Sequence, residues 1–341
     1  MTQLHRTLPL LVSLAGIMAC EPASVDQPDT DTDTDTDTDT DTDTDADTQP
    51  IPAVWPSTLS ETGLYSDLPN QTLAADVRTY TTAFPLWSDG AVKERFFALP
   101  DGVSIDTTDP DLWQFPVGTR AWKTFSRDGV RVETRYIERT QEEWVWVSYQ
   151  WRDDGSDADV VPEGVDNANG TEHDIPDDGA CFRCHQATGL LGVNAIQLGD
   201  ENPDRTLDAW TDEGLLSQPI SESTVVPGDQ LEHDVLGYLH GNCSGCHRDS
   251  YYLSFAYDLR LGVRVGTASV SDSLVMMTGV NAPTRHQNTT AVAIAPGDPD
   301  ASQLAERMAS RDIIQMPPLG TELVDDAAVQ DVRDWISSLQ P

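Results

Sequence analysis

Cys243-Ser244-Gly245-Cys246-His247 is one of two copies of the pattern Cys-x-x-Cys-His in this chain, and the other is Cys181-Phe182-Arg183-Cys184-His185. In an exported protein this pattern is typical of c-type haem attachment, in which both thiols form thioethers with the porphyrin and the adjacent imidazole ligates the iron. The two copies therefore predict two covalently bound haem c groups. The predicted attachment residues are Cys181, Cys184, Cys243 and Cys246, and the predicted proximal iron ligands are His185 and His247.

Two other interpretations of these cysteines account for the sequence less well. Zinc sites built from two Cys-x-x-Cys pairs usually separate them by about 15–20 residues, whereas the gap from Cys184 to Cys243 is far longer and a histidine follows each pair. A disulfide-redox pair would explain one copy but not the repeated histidine. The chain has five cysteines, and the fifth, Cys20, has its own explanation near the N-terminus.

Residues 1–19 have the pattern of a secretory signal peptide, with Arg6 before an apolar run that is too short for a mature membrane span. The run ends in Ile17-Met18-Ala19-Cys20, which resembles the lipobox of bacterial lipoproteins. Cys20 is therefore predicted to be lipidated, with an ordinary secreted protein as the alternative. Because Glu21 stands where an inner-membrane retention signal more often has Asp, we expect a lipid-anchored protein of the outer membrane in the cell envelope.

Residues 20–50 are predicted to be a disordered tether that follows the lipidated cysteine. From Asp29 to Thr48 the sequence alternates almost strictly between Asp and Thr. Such a segment has no large apolar side chains to bury, and its carboxylates repel one another. Of the formal charge of −38, about −27 lies on residues 51–341. This acidity argues against nucleic acid as a partner and favours a basic-faced redox protein.

Residues 51–165 have the composition of a β-rich domain. Four segments are rich in Val, Phe, Tyr, Trp and Thr with partial alternation, which predicts strands. They are residues 92–99, 120–126, 130–139 and 143–151. Ser126-Arg127-Asp128-Gly129 predicts a hairpin turn between two of them. We expect an antiparallel sandwich or small barrel.

The rest of the chain is predicted to be helical and to carry the haems, with residues 166–229 as a first haem-binding segment and residues 230–341 as a cytochrome c domain. Apolar residues recur at helical spacing over 231–242, which leads directly into the second motif. Two further helices are predicted over 301–310 and 325–339. The predicted fold is thus multidomain, with an N-terminal mainly-β sandwich or barrel-like domain followed by α-helical cytochrome c-like haem domains.

Met316 is the candidate for the second axial ligand of the second haem. It precedes two prolines that stiffen its loop and lies 69 residues after His247, and a thioether ligand raises the potential of haem iron. For the first haem the choice stays open between a histidine, a distant methionine and an open position, with His233 named first because it lies on the helix downstream of the first motif. The full set of candidates is His173, His233, His240, His286, Met276 and Met277.

A broader set of residues resembles a bacterial family of di-haem c-type cytochromes, some of whose members are encoded beside parallel β-helix repeat proteins. The resemblance covers about residues 55–341, and its most specific part is Phe84-Pro85-Leu86-Trp87-Ser88-Asp89-Gly90-Ala91. The other matching stretches are Phe115-Pro116-Val117-Gly118-Thr119, Lys123-Thr124-Phe125, Val132-Glu133-Thr134-Arg135, Tyr238-Leu239 and Asn242-Cys243. The resemblance implies a β-rich N-terminal domain, haem-bearing segments after it and a role in electron transfer.

Three functions follow from these residues. The first is a di-haem envelope lipoprotein that transfers single electrons and has no catalytic residues. The second is a di-haem redox enzyme, peroxidase-like or oxidase-like, in which the first haem has an open or displaceable ligand. The third gives the β domain a binding role toward a carbohydrate or another protein.

Overall fold

The computed structural model describes residues 55–185, 189–248, 258–284 and 292–340. The predicted signal peptide, Cys20, the Asp-Thr tether and His286 lie outside the described residues.

The strands of the β region form two antiparallel sheets, and each strand pairs with its neighbour in sequence. Strands β1 (Tyr65–Asp67) and β2 (Thr72–Leu73) form a two-stranded ribbon. The six-stranded sheet contains β3 (Arg78–Thr79), β4 (Val92–Ala98), β5 (Arg120–Arg127), β6 (Val130–Arg139), β7 (Trp144–Trp151) and β8 (Ala158–Val160). The four strands predicted from sequence are thus confirmed as β4 to β7.

The predicted hairpin turn joins β5 to β6. Arg127 pairs with Val130, so Asp128 and Gly129 form a two-residue loop. Their φ angles are 51° and 82°, and a turn with both central residues at positive φ matches the right-handed twist of the flanking strands. The hairpin prediction is confirmed.

The six-stranded sheet is an open meander with β3 and β8 at its edges, which differs from the predicted sandwich or barrel. On one face, Trp122, Tyr136 and Tyr149 pack in one apolar cluster with residues of the N-terminal segment, among them Leu59 and Leu64. The other face carries Phe97, Ala121 and Ile137, which pack with residues 190–216. Because both faces carry buried apolar residues, the alternation along these strands is only partial. This pattern does not show whether a second sheet or other segments cover each face.

Seven α-helices follow the sheet in the described part of the chain. They are α1 (Asp178–His185), α2 (Ala195–Leu198), α3 (Thr206–Asp212), α4 (Gln230–Asn242), α5 (Leu274–Gly279), α6 (Gln303–Met308) and α7 (Asp326–Ser338). The three helices predicted from sequence correspond to α4, α6 and α7, although α6 is shorter than expected because a 3-10 turn, Pro299–Ala301, precedes it. The described chain is therefore a mainly-β region followed by helices.

Helix α4 begins at a capping box in which the Asp229 side chain accepts from the backbone N–H of Glu232 and the Glu232 side chain accepts from that of Asp229. Its buried face packs against α7 in one apolar cluster. The cluster includes Val235, Leu236, Leu239, Val329, Val332, Trp335 and Ile336. Burying residues of this size stabilises the pairing by roughly 1.5–3 kcal/mol for each side chain.

Residues 51–341 form one compact unit, so the β region and both motif segments pack together. Within the residues that the structure describes, none of the helices combines the length and the apolar character needed to cross a membrane.

Candidate haem site

Both Cys-x-x-Cys-His motifs lie on the wall of a single cavity of about 1020 Å³. This volume is at the upper end of the range for ligand pockets. The lining includes Cys181, Cys184, His185, Cys243, Cys246, His247 and Met316. The structure therefore brings six of the predicted haem-binding residues and the predicted distal methionine to one place.

The first motif occupies the end of α1, which packs against β7. The indole N–H of Trp146 on β7 donates to the backbone carbonyl of Asp178 at 2.8 Å. The Trp146 ring also lies 6.1 Å from the His185 ring, measured between centroids. The sheet thus positions the first motif.

The second motif forms a turn that continues from the end of α4. The backbone N–H of Cys243 donates to Leu239 at 2.9 Å, and the N–H of His247 donates to Cys243 at 2.9 Å. The Ser244 hydroxyl donates to the carbonyl of His240 at 2.5 Å. These bonds give the helical turn that the motif spacing requires.

The two motif histidines have the same hydrogen-bonding pattern. Nδ1 of His185 lies against the backbone carbonyl of Gly189, and Nδ1 of His247 lies 3.2 Å from the carbonyl of Leu259. A carbonyl can only accept, so each Nδ1 carries the proton and each Nε2 keeps its lone pair, the arrangement usual for a metal-ligating histidine. Burial lowers the pKa of His185 to about 4 and also lowers that of His247, which keeps both rings neutral near pH 7.

Gly189 permits this arrangement at the first motif. Its φ of +71° lies in the left-handed region, and a Cβ there would come within 1.9 Å of the Trp144 ring. Only glycine therefore brings this carbonyl to His185 without displacing the sheet.

None of the four motif cysteines forms a disulfide in the described part of the chain. Burial raises the pKa of Cys181 to about 11 and that of Cys243 to about 12. A hydrogen bond with Cys246, together with burial, raises the pKa of Cys184. Thiols active in disulfide exchange have lowered pKa values, so these cysteines lack the property that such chemistry needs. The hydrogen bond between the Cys184 and Cys246 side chains also shows that the two motifs are in contact.

In the described part of the chain, no group of three or more His, Cys, Asp or Glu side chains could hold a bare metal ion. A structural zinc site needs four ligands. Two buried hydroxyls on the cavity wall, those of Thr82 and Thr321, make no hydrogen bond with any residue that the structure describes. A large cavity with thiols, ligand-ready imidazoles and unpaired hydroxyls on its wall fits haem c.

Met316 lies in the loop after α6 and is held by backbone contacts. Its N–H donates to the carbonyl of Arg307 at 3.0 Å, and the Arg307 guanidinium donates to the carbonyl of Ile314 at 2.7 Å. Met308 also lines the cavity but belongs to the apolar core, with 6% of its surface exposed. The thioethers of Met308 and Met316 thus both lie on the cavity wall. Met316 remains the candidate ligand because it lies in a loop, whereas Met308 packs in the core.

Residues 84–91, the most specific part of the family resemblance, connect α4 to the loop that follows Met316. The backbone N–H of Trp87 donates to Oδ1 of Asn242 at 2.7 Å, and its indole N–H donates to the carbonyl of Leu323 at 3.0 Å. The Asp89 carboxylate accepts from the N–H of Leu323 at 2.8 Å. A Cβ on Gly241 would lie 2.5 Å from the Phe84 carbonyl oxygen. This run fixes the Met316 loop relative to the second motif.

His233, the first candidate for the distal ligand of the first haem, is not among the residues that line the cavity. Its Nε2 lies 2.5 Å from Glu201 and its Nδ1 lies 3.0 Å from Asp234. Although burial lowers it, the bonds to Asp234 and Glu201 raise the pKa of His233. His233 was a candidate because of its position on α4, downstream of the first motif. In the structure a carboxylate lies within hydrogen-bond distance of each of its ring nitrogens.

The other candidates are placed as follows. His240 lines the cavity, with Nδ1 accepting from the N–H of Val263 at 3.2 Å and Nε2 3.3 Å from Oδ1 of Asn194. Nε2 of His173 lies 2.8 Å from the Glu133 carboxylate. Met276 packs against the core around α4, and Met277 is 69% exposed.

A buried charge network on β6 was missed by sequence reasoning. The Arg135 guanidinium donates to both oxygens of Glu133, at 2.7 and 3.1 Å, and the Ser148 hydroxyl donates to the same carboxylate at 2.7 Å. Burial raises the pKa of Glu133, but Arg135 and His173 outweigh it and lower the pKa to about 2. The sequence signal that could have predicted this network is the pair of charged residues, Glu133 and Arg135, within a predicted strand.

The stability of the fold is expected to decrease as the pH falls from about 4.5 to about 2, because Glu133 must be protonated over this range. The folded pKa is below the ordinary value, so the contribution is complete above pH 4.5 and is lost toward pH 2. At about 1.4 kcal/mol per pKa unit this is a loss of about 3 kcal/mol. Denaturant unfolding at several pH values measures it. A Glu133→Gln variant with the same pH profile as the parent would contradict this assignment.

Comparisons of this chain with protein-family models, with curated proteins and with solved structures find no match.

Proposed function

We propose that this chain is a di-haem c-type cytochrome of the bacterial cell envelope that passes single electrons between its haems and a partner protein. The observation that carries the proposal is the pair of motif histidines, each half-buried next to its own cysteine pair with Nδ1 on a backbone carbonyl and Nε2 available as a ligand. When bound, haem supplies a one-electron iron couple.

Each residue of the cavity wall would have its own role. Cys181 and Cys184 would hold one porphyrin, and Cys243 and Cys246 would hold the other. His185 and His247 would supply an imidazole Nε2 to each iron. Met316 would supply a soft thioether at the second motif, which would raise the potential relative to a second histidine. The segments packed around both motifs would limit the access of water.

The contact between Cys184 and Cys246 supports electron exchange inside the molecule. Two porphyrins attached to cysteines in contact would lie close together, so an electron that entered at one motif would have a short path to the other. A protein that only transfers electrons needs this proximity and no substrate pocket.

The N-terminal residues support an envelope location. Cys20, after Ile17-Met18-Ala19, is proposed as the lipidated anchor at the outer membrane, with the Asp-Thr run as spacer. The acidic charge of residues 51–341 is proposed to steer a basic-faced redox partner. The contacts of residues 84–91 with α4 and the methionine loop give a physical reason for a di-haem family to keep that run.

A di-haem redox enzyme is the second candidate, and one observation favours it. Carboxylates engage His173 and His233, and both nitrogens of His240 have partners. These contacts leave room for an open position at the first haem, as in peroxidases.

An absorption spectrum of protein matured in a haem-attaching periplasm tests both candidates. Electron transfer predicts two low-spin haems whose spectra do not change with carbon monoxide or peroxide. A high-spin signal that shifts with carbon monoxide would favour the enzyme. A polypeptide without covalent haem would contradict both.

A further inference from the structure

Three basic side chains form a row across the sheet face that meets the cavity. Arg95 on β4 pairs with Lys123 on β5, and Lys123 pairs with Arg135 on β6. Directly paired residues point to the same face of a sheet. All three line the cavity that holds both motifs.

Such a row is unfavourable without a counter-charge, because like charges directly opposite each other on neighbouring strands repel. Glu133 is the nearby carboxylate, and it is already bonded to Arg135, His173 and Ser148. Among the described residues no carboxylate forms an ion pair with Arg95 or Lys123. In a chain with 58 acidic and 20 basic residues, a cavity wall with six Arg and Lys side chains and only two Asp among its described residues is against the general composition. Burial and the neighbouring Arg95 and Arg135 lower the pKa of Lys123, so its ammonium form lacks a compensating anion.

The row lies beside the first motif rather than apart from it. Arg135 pairs with Ser148 on β7, and Trp146, two residues away on the same face of β7, has its ring 6.1 Å from the His185 ring. Arg135 also interacts electrostatically with Cys181 and Cys184. A ligand attached to these cysteines would have its anionic groups within the field of the row.

We propose that Arg95, Lys123 and Arg135 form the anion subsite that binds the two propionate carboxylates of the haem attached at Cys181 and Cys184. This rests on the proposed haem binding and adds a role for the β sheet. Guanidinium groups bind carboxylates through two parallel hydrogen bonds, and lysine adds a point charge. The sheet thereby sets both the orientation of this haem and its charge environment.

Removing a cation next to a haem stabilises the oxidised iron, which carries the additional positive charge. The potential of the first haem therefore falls, whereas the second haem, held by α4 and the Met316 loop, keeps its potential. This difference between the two haems separates an anion subsite from a general loss of stability.

The experiment is a spectroelectrochemical titration of the full matured chain carrying Arg95→Gln, Lys123→Met or both. We expect the oxidised-to-reduced ratio of one haem to change by roughly tenfold, which is 59 mV for a one-electron couple. Lys123→Arg keeps the charge and is expected to keep the potential. Arg131→Gln is the matched control, since Arg131 is also on β6 but stacks on Trp151 on the opposite face.

Three outcomes decide the proposal. Two haems with unchanged potentials in the Arg95 and Lys123 variants would overturn it while leaving the proposed function intact. A potential that shifts with added phosphate at constant ionic strength in the parent, but not in the double variant, would overturn it in favour of a soluble anion. Absence of covalent haem in the parent would instead contradict the proposed function.

Discussion

Replacing Cys181 and Cys184 with alanine is expected to leave one covalently bound haem in the matured protein in place of two. Each motif supplies its own two thiols and its own imidazole, so loss of one pair should not prevent attachment at the other. Intact-protein mass spectrometry measures the number of haems directly. The corresponding change at Cys243 and Cys246 should also leave one haem.

The control is Cys20→Ser, which removes the remaining cysteine of the chain. It should keep two haems and lose only the incorporation of labelled fatty acid. Two haems in the Cys181 and Cys184 variant, or zinc in the parent protein, would contradict the assignment of the motifs.

Met316→Ala is expected to abolish the weak methionine–iron absorption band of the oxidised protein and to lower the potential of the second haem. Loss of a thioether ligand removes the interaction that favours the reduced iron. We expect a change on the order of a hundredfold in the oxidised-to-reduced ratio, or about 120 mV. Visible spectroscopy and a redox titration of the matured chain measure both effects.

Met308→Ala and Met276→Ala are the matched controls. Met308 is buried in the core and shares the cavity wall, whereas Met276 packs against the same core without lining the cavity. Both variants should keep the band. A band that survives in Met316→Ala and disappears in Met308→Ala would show that the wrong thioether was chosen.

Local patterns were sufficient for most elements of the fold. The aromatic and β-branched residues of β4 to β7 predicted these strands. Asp-Gly predicted the turn between β5 and β6, because few other residue pairs adopt two positive φ angles in succession. The apolar spacing along α4 and α7 predicted both helices, and their apolar faces pack in one cluster. What covers each face of the sheet depends on segments far away in sequence, so the sandwich or barrel could not be distinguished from an open meander.

The candidate site was predictable where the chemistry is encoded in a short motif. The six Cys and His residues and Met316 were identified from the two motifs and from the Met-Pro-Pro loop, whereas their meeting at one cavity depends on how distant segments pack. The basic row was not predictable, since it depends on the register of three strands, including an irregularity between Phe125 and Ser126. His233 was a candidate because of its position on α4. Its contact with Glu201 depends on how α4 packs against a distant segment, and its contact with Asp234 depends on the side-chain conformation of the adjacent residue, so neither was predictable.

The shared cavity has a consequence for biogenesis. Its wall combines side chains from the sheet, from both motif segments and from the loop at Met316, and the cysteines of the two motifs already touch inside it. If haem is attached as proposed, a porphyrin could not enter such an interior after the surrounding elements had closed. The attachment enzymes would then have to act on an open chain and to add both prosthetic groups before it closed. The two haems would become part of the core around which the polypeptide folds.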